Sequence, residues 1–421
     1  MDLSFVRPEF PALAQTDAQG RPYVYLDGPG GTQVHQSVID AMARYLVHAN
    51  ANSHGAFLTS RRTDETVAAA RAAMADLFNA PSTDEIVFGA NMTTLTFHIS
   101  RTIGTLLQPG DEVVTTLLDH NANVAPWLRL AEQGVLVRQV RFHPEDCTID
   151  MDEMRGAINP RTRVVAVGYA SNGVGTINDV AQVTRWAHEA GAWSYVDAVH
   201  YAPHGPIDVQ AIGCDFLVCS AYKFFGPHEG VLWGRKEILE QLRPDKVRPA
   251  SDTVPHRFET GTQNHEAIAG TLAAVEYLAS LGRRAGEAFK HEYPHLMGRR
   301  LELKAAMAAI RAYERALVWP MIAGLQAIPG LKVWGIIDPA RAAWRAPTVS
   351  FTLQGQHPAE IARRLGDEGI FVWDGNYYAL TLMEELGLEA HGGMVRVGLA
   401  HYNTAEEVQR LVAAVRRVRE A

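Results

Sequence analysis

Apolar residues recur every three to four positions through VHQSVIDAMARYLVH (34–48), RRTDETVAAARAAMADLF (61–78) and DVAQVTRWAHEAG (179–191). That period gives a helix one apolar face and predicts three helices. The third carries its own punctuation, with Asp179 and Gln182 spaced as a capping box and Gly191 as a stop. Between such segments lie short β-branched runs, DEVVTTLLD, TRVVAVGYAS, AWSYVDAV and CDFLVCSAY. Each is apolar without strict alternation, the pattern of strands covered by helices on both faces. Alternating helices and buried strands predict an α/β doubly wound architecture with a mainly parallel sheet.

Past about residue 265 the pattern changes. Long helical segments, EAIAGTLAAVEYLASL and RALVWPMIAGLQAI, precede the strand-like LKVWGII, APTVSFTL and GIFVWDG. A last helix follows in TAEEVQRLVAAVRRV, where Thr404 and Glu407 match a capping box and Val408, Leu411, Val412 and Val415 form one face. This half reads as a second, smaller α+β domain.

Composition removes several function classes. The chain has 421 residues, 47% of them hydrophobic, and a formal net charge of −8, which argues against attraction to nucleic acid or an anionic membrane. Its N-terminus lacks the charged start and apolar core of a secretion signal, and no run is long enough to span a bilayer. Cys147, Cys214 and Cys219 form no CxxC pair and read as small buried thiols. A cytoplasmic location is expected. The glycine-rich DGPGGT and GVGT match neither a dinucleotide nor a P-loop fingerprint. In HYAPH, Pro203 breaks any helix that would align His200 and His204 on a metal.

Chemistry in such a fold collects at the carboxyl ends of the parallel strands. Here those ends are polar: Asp119 and His120, Ser171 and Asn172, Asp197 and His200, then Ser220 and Lys223 in SAYKFFGP. A lysine is costly to bury at the end of a core strand. A partly desolvated lysine can lose its proton and attack a carbonyl, and an aspartate opposite can pair with a protonated ring nitrogen. Those are the demands of pyridoxal phosphate.

Seven segments in order, from VYLDGPGGT through GANMTT, DHNANVAPW, SNGVGT, VDAVH…SAYKFFGP and FETGTQN to VRVGLAHYNT, resemble the class V aminotransferase family of fold-type I pyridoxal-phosphate enzymes, in its cysteine desulfurase and selenocysteine lyase branch. The resemblance implies a large cofactor domain at 21–285 and a small C-terminal domain at 286–421, with residues 1–20 packing on the latter. It implies that Lys223 bonds the cofactor and shuttles the α-proton, that Asp197 keeps the ring nitrogen protonated and that His120 stacks on the ring. Asn172 and His200 would lie near the phenolic oxygen. Ala90, Asn91, Ser220 and Tyr222 would line the phosphate site at a helix N-terminus, although Asn91 and Met92 replace the usual Thr-Glu pair and Tyr222 a common histidine. Thr262 would reach the phosphate of a partner subunit, which implies a homodimer with composite sites. Arg396 would grip the substrate carboxylate, with Gly31 and His54 also at the substrate.

One departure changes the expected chemistry. In desulfurases of this branch the segment aligned with VWDGNYYALTLM (372–383) resembles V-R-T-G-H-H-C-A-x-P-L, whose cysteine takes the substrate sulfur as a persulfide. Here Tyr378 stands in its place, with Trp373, Asn376 and Tyr377 replacing the arginine and histidines. A phenol cannot form a persulfide. The expectation is therefore a lyase acting on an amino acid by β-elimination of a sulfur-type leaving group. Aminotransfer or epimerisation is the neighbouring alternative, and a catalytically quiet pyridoxal-phosphate-binding regulator the alternative from another class.

Overall fold

The buried β-branched runs form the centre of a seven-stranded sheet in the computed structural model, which describes residues 3–420. Across the sheet the strands run Ile86–Gly89, Gly230–Gly234, Phe216–Ser220, Trp193–Asp197, Thr162–Gly168, Glu112–Thr116 and Leu136–Val140. Gly230–Gly234 is antiparallel to both neighbours, while the pairings from Phe216–Ser220 outward are parallel. Val164, Val165, Ala166 and Val167 are fully buried, as continuous apolar strands between two helical layers must be.

The predicted helices form as Gln36–His48, Leu58–Phe78 and Val180–Glu189. Asp179 caps the last of these by accepting the Gln182 N–H at 2.9 Å, and Gly191 turns the chain away with φ +76°. At the other end of the chain, Ala405–Glu420 carries the predicted reciprocal box: Thr404 Oγ1 accepts the Glu407 N–H at 3.3 Å and Glu407 accepts the Thr404 N–H at 3.0 Å. Val408, Leu411 and Val415 of that helix are buried, each contributing roughly 1.5–3 kcal/mol of apolar transfer.

The C-terminal region holds an antiparallel four-stranded sheet in the order Leu331–Trp334, Thr348–Leu353, Met394–Gly398, Trp373–Gly375. The stretch expected as one strand, GIFVWDG, is divided at Val372. Ile370–Phe371 pairs in parallel with Val24–Tyr25, and only Trp373–Gly375 joins the four-stranded sheet. The change of partner precedes a loop in which Gly375, Tyr377 and Tyr378 all take positive φ. It also ties the start of the chain to its last quarter, as does the ion pair of Arg7 with Glu407 at 3.0 Å. Four strands of the two main sheets escaped the sequence reading: Ile86–Gly89, Met394–Gly398, GVLWG, whose three apolar residues sit between glycines, and the edge strand LVRQV, which carries Arg138 and Gln139. No helix among the described residues is long and apolar enough to cross a membrane.

Candidate active site

Four parallel strands end on one small cavity. Asp197 terminates its own strand, and Asp119, Asn172 and Lys223 lie in the turns just past theirs. These four, with His120 and His200, line an inner cavity of about 70 Å³. Thr93, His120, Asn172, Tyr222 and Lys223 are shared with an outer cavity of about 850 Å³. The sheet's parallel order thus does the positioning, because every strand delivers its following turn to the same edge.

Lys223 is buried in a short helical turn directly after Ser220. Its ammonium donates to the Pro29 carbonyl, a partner the sequence did not reveal. The N-terminal segment is stitched against this turn: Thr32 N–H donates to the Tyr222 carbonyl at 3.0 Å, and Thr32 Oγ1 accepts the Phe225 N–H at 2.8 Å. Burial, reinforced by the positive charge of Arg396, pulls the Lys223 pKa down to about 7, against the attraction of Asp197. An amine so placed is a nucleophile near neutrality.

Asp197 is pushed up to about 6 by burial, opposed by a 2.9 Å hydrogen bond from the Val199 N–H and by Lys223. A cationic partner brought next to it would hold it ionised. Asp119, next to His120 in sequence, is pushed up to about 7, first by burial and further by the Asp197 charge. Its two oxygens bridge the Gly168 N–H and the Asn123 amide, each at 2.9 Å. That bridge fastens the His120 turn to the neighbouring strand. The DHNAN pattern carried the signal, since an aspartate four residues before an asparagine at a strand end is positioned to brace a turn.

His120 is held neutral. Burial, then Lys223 and Arg396, pulls it down to about 4, and its Nδ1 accepts the Ala122 N–H at 3.0 Å, which leaves the proton on Nε2. Burial takes His200 well below its ordinary value, and its Nε2 is 2.9 Å from Thr348 Oγ1. Asn172 donates its amide to the Tyr377 carbonyl at 2.8 Å, and its buried Oδ1 has no protein partner. Asn172 thus keeps a free acceptor and the second N–H of its amide. Arg396, in the middle of the C-terminal sheet, donates to the Asn172 carbonyl at 2.9 Å and lies 4.1 Å from the centre of the Tyr377 ring. Its Nε is buried without a partner, and burial pulls its pKa down to about 10.

The helix expected near GANMTT spans Met92–Gly104, with Asn91 as its N-cap accepting the Thr94 N–H at 2.9 Å. Ser220 Oγ accepts the Met92 N–H at 3.1 Å, so it joins the helix start to the lysine turn. Gly230 presses against this start: a Cβ there would come within 2.7 Å of the Asn91 Cα. Ala90, by contrast, is exposed and lines neither cavity, because the chain turns outward one residue before the cap. Gly31 also stays off both walls; its neighbours Pro29 and Gly30 take the outer cavity, and Gly31 packs on the Tyr222 ring. His54, 3.5 Å from Asp64, and Thr262 are exposed and outside both cavities of the single chain.

The Aminotransferase class-V model matches residues 24–305 and 298–411. The chain belongs to the class V aminotransferase family. It is 35% identical over 433 residues to a cysteine desulfurase of Synechococcus elongatus, covering 99% of this chain and 64% of that protein, so it spans about two thirds or less of that relative's length. A cysteine desulfurase of Serratia proteamaculans is 33% identical over 429 residues, covering 98% of this chain and 97% of the relative. Among solved structures, the apo cysteine desulfurase of Thermococcus onnurineus NA1 superposes with a TM-score of 0.86 at 26% identity, covering 100% of this chain and 98% of its own. The chain is thus a fold-type I enzyme that depends on pyridoxal 5'-phosphate. The site suits that group: a buried lysine, a buried carboxylate, the unpartnered Asn172 Oδ1 and a helix N-terminus converge on one cavity.

Proposed function

We propose that the protein is a lyase that breaks the Cβ–S bond of an amino acid by β-elimination, with no persulfide on the enzyme. The observation that carries this is the absence of a usable thiol. Tyr378 occupies the loop position at which a nucleophilic cysteine would stand, and Cys147, Cys214 and Cys219 are all buried and line neither cavity. Burial pushes the Cys147 thiol up to about 11 and raises the other two as well, which withholds the thiolate form that attacks sulfur.

Bound pyridoxal phosphate supplies the electron sink for negative charge at Cα. Lys223 would bond it, Asp197 would hold its ring nitrogen protonated, and neutral His120 would cover its face. The N-terminus of Met92–Gly104, where Ser220 and Asn91 already engage the Met92 and Thr94 N–H groups, would take the phosphate. Arg396 orients the substrate by its carboxylate, its unpartnered Nε and planar fork suiting a two-pronged contact. Lys223, with a pKa near 7, is able to take the α-proton at neutral pH and to return one. With no thiolate to take the sulfur, the electron pair of the Cβ–S bond leaves with it.

We further infer a homodimer. Ile39, Leu46 and Val47 on one helix and Phe57 and Leu58 at the start of the next leave large apolar side chains exposed. His54 and Thr262 would then serve the partner's cavity rather than their own. The direct test of the persulfide-free reading is peptide mapping after incubation of the holoprotein with cysteine. No sulfane sulfur is expected on any of the three cysteines, and its presence in amounts matching turnover overturns the reading.

A further inference from the structure

The outer cavity shares His120, Asn172 and Lys223 with the cofactor site, and its remaining walls face the substrate. At about 850 Å³ it lies within the roughly 300–1,000 Å³ of sites that enclose whole drug-sized ligands. Lys223 and Arg396 mark its inner end, and Asp374 is the other fixed charge on its walls. The remaining walls mix the polar Thr93, Asn121, Asn172 and Asn376 with aromatic surface from Phe97, Trp373, Tyr377 and Tyr378. Trp373 and Tyr378, which line the outer cavity but not the inner one, are 50% and 72% exposed, so both rings present surface to a ligand there.

The aromatic wall is held rather than loose. Tyr377 and Tyr378 take φ of +56° and +59°, a conformation that costs a non-glycine residue and persists where its surroundings enforce it. Here the Asn172 amide holds the Tyr377 carbonyl at 2.8 Å, the Asn121 N–H holds the Tyr378 carbonyl at 2.7 Å, and Asn376 Oδ1 accepts the Tyr378 N–H at 3.1 Å. The loop so fixed stacks Tyr378 on His120, 5.6 Å between centres and 26° apart in plane. Trp373 closes down on Gly30, where any Cβ would collide with the indole. Ring surface therefore extends from the His120 imidazole to Tyr378, with Trp373 on the same cavity wall.

Resting on the β-elimination reading above, we propose that the substrate is a cysteine thioether whose sulfur carries an apolar, preferably aromatic, substituent, and that this substituent is bound by the Tyr378–Trp373 wall. A free thiol would leave the wall unused, and the carboxylate of a second amino-acid head would find no cation on these walls beyond Lys223 and Arg396 at the inner end. The reaction balances without an oxidant. The α-proton passes to Lys223, the Cβ–S bond breaks with its electron pair on sulfur, and the sulfur takes up a proton to leave as a thiol. The three-carbon enamine then takes up water to give pyruvate and ammonium.

The test uses S-benzyl-L-cysteine and L-cysteine as probes. Binding of each is measured calorimetrically on holoprotein whose lysine–cofactor bond has been reduced with borohydride, and pyruvate and thiol release are measured on the native holoenzyme. S-benzyl-L-cysteine is expected to bind at least tenfold more tightly and to yield pyruvate with benzyl thiol. Tyr378→Ala is expected to shrink that preference roughly tenfold, the scale of a lost ring stack, and Tyr378→Phe to retain it. Should Tyr378→Ala fail to fold, the wild-type preference and Tyr378→Phe still decide. Equal or weaker binding of the thioether, with pyruvate still made from cysteine, overturns this proposal and leaves β-elimination standing. Alanine from cysteine, or no pyruvate from either probe, overturns the underlying reading and this one with it.

Discussion

Lys223 donates its buried amine to a main-chain carbonyl, and burial and Arg396 together bring its pKa to about 7. The shift sets a pH dependence for cofactor capture. Only the neutral amine bonds an aldehyde, so the rate at which the apoprotein takes up pyridoxal phosphate should rise through about pH 7 and level off above it. A stopped-flow absorbance series that instead rose through about pH 10, the value of an ordinary lysine, would contradict the desolvated site. The same shift makes this group's contribution to apoprotein stability rise between pH 7 and about 10.5, the window in which the unfolded chain holds a proton that the folded lysine has lost. Lys223 and Asp197 were legible in the sequence because a charged residue at the end of an apolar strand demands a reason. The Pro29 carbonyl was not, since a main-chain partner 194 residues away leaves no mark on composition or spacing. Nor was the orientation of Asn172, whose amide donates to the Tyr377 carbonyl through a contact that exists only once the two sheets meet.

The loop from Trp373 to Tyr378 departs most from a regular element, and a regular pattern misread it. GIFVWDG looks like one strand because its apolar residues run on without a break. The structure divides it at Val372, where the chain leaves Val24–Tyr25 for the four-stranded sheet, ahead of left-handed backbone at Tyr377 and Tyr378. Asn376 is the hinge pin: it accepts the Tyr378 N–H and donates to both Glu389 oxygens at 3.0 and 3.2 Å. Asn376→Ala should release the loop and raise KM for the preferred substrate roughly fivefold, the worth of about 1 kcal/mol of lost hydrogen bonding. Steady-state kinetics check this, and an unchanged KM would show that the loop does not depend on this anchor. Helix ends behaved better. Asp179 with Gln182 and Thr404 with Glu407 cap as their spacing implied, since a cap is a local bargain between neighbours in sequence.

At the scale of the whole molecule, the parallel order of the central sheet made the site predictable. Strand ends that are polar in the sequence must meet once the strands lie side by side, and Asp119, Asn172, Asp197 and Lys223 do. What a single chain cannot bring together is His54 and Thr262, which remain exposed and away from both cavities. The proposed homodimer would account for them and for the exposed Ile39, Leu46, Val47, Phe57 and Leu58. Sedimentation of the holoprotein should show a dimer down to submicromolar concentration, and Val47→Glu with Leu58→Glu should shift it toward monomer with loss of bound cofactor. A fully loaded wild-type monomer at low concentration would contradict the composite site.

The central claim, elimination without persulfide, is tested most directly by the products of a single substrate. Holoenzyme incubated with L-cysteine in the absence of added reductant should release pyruvate, ammonium and sulfide in equal amounts, at whatever rate this small substrate supports. Alanine formed in equal amount with sulfane sulfur held on the protein would contradict the account.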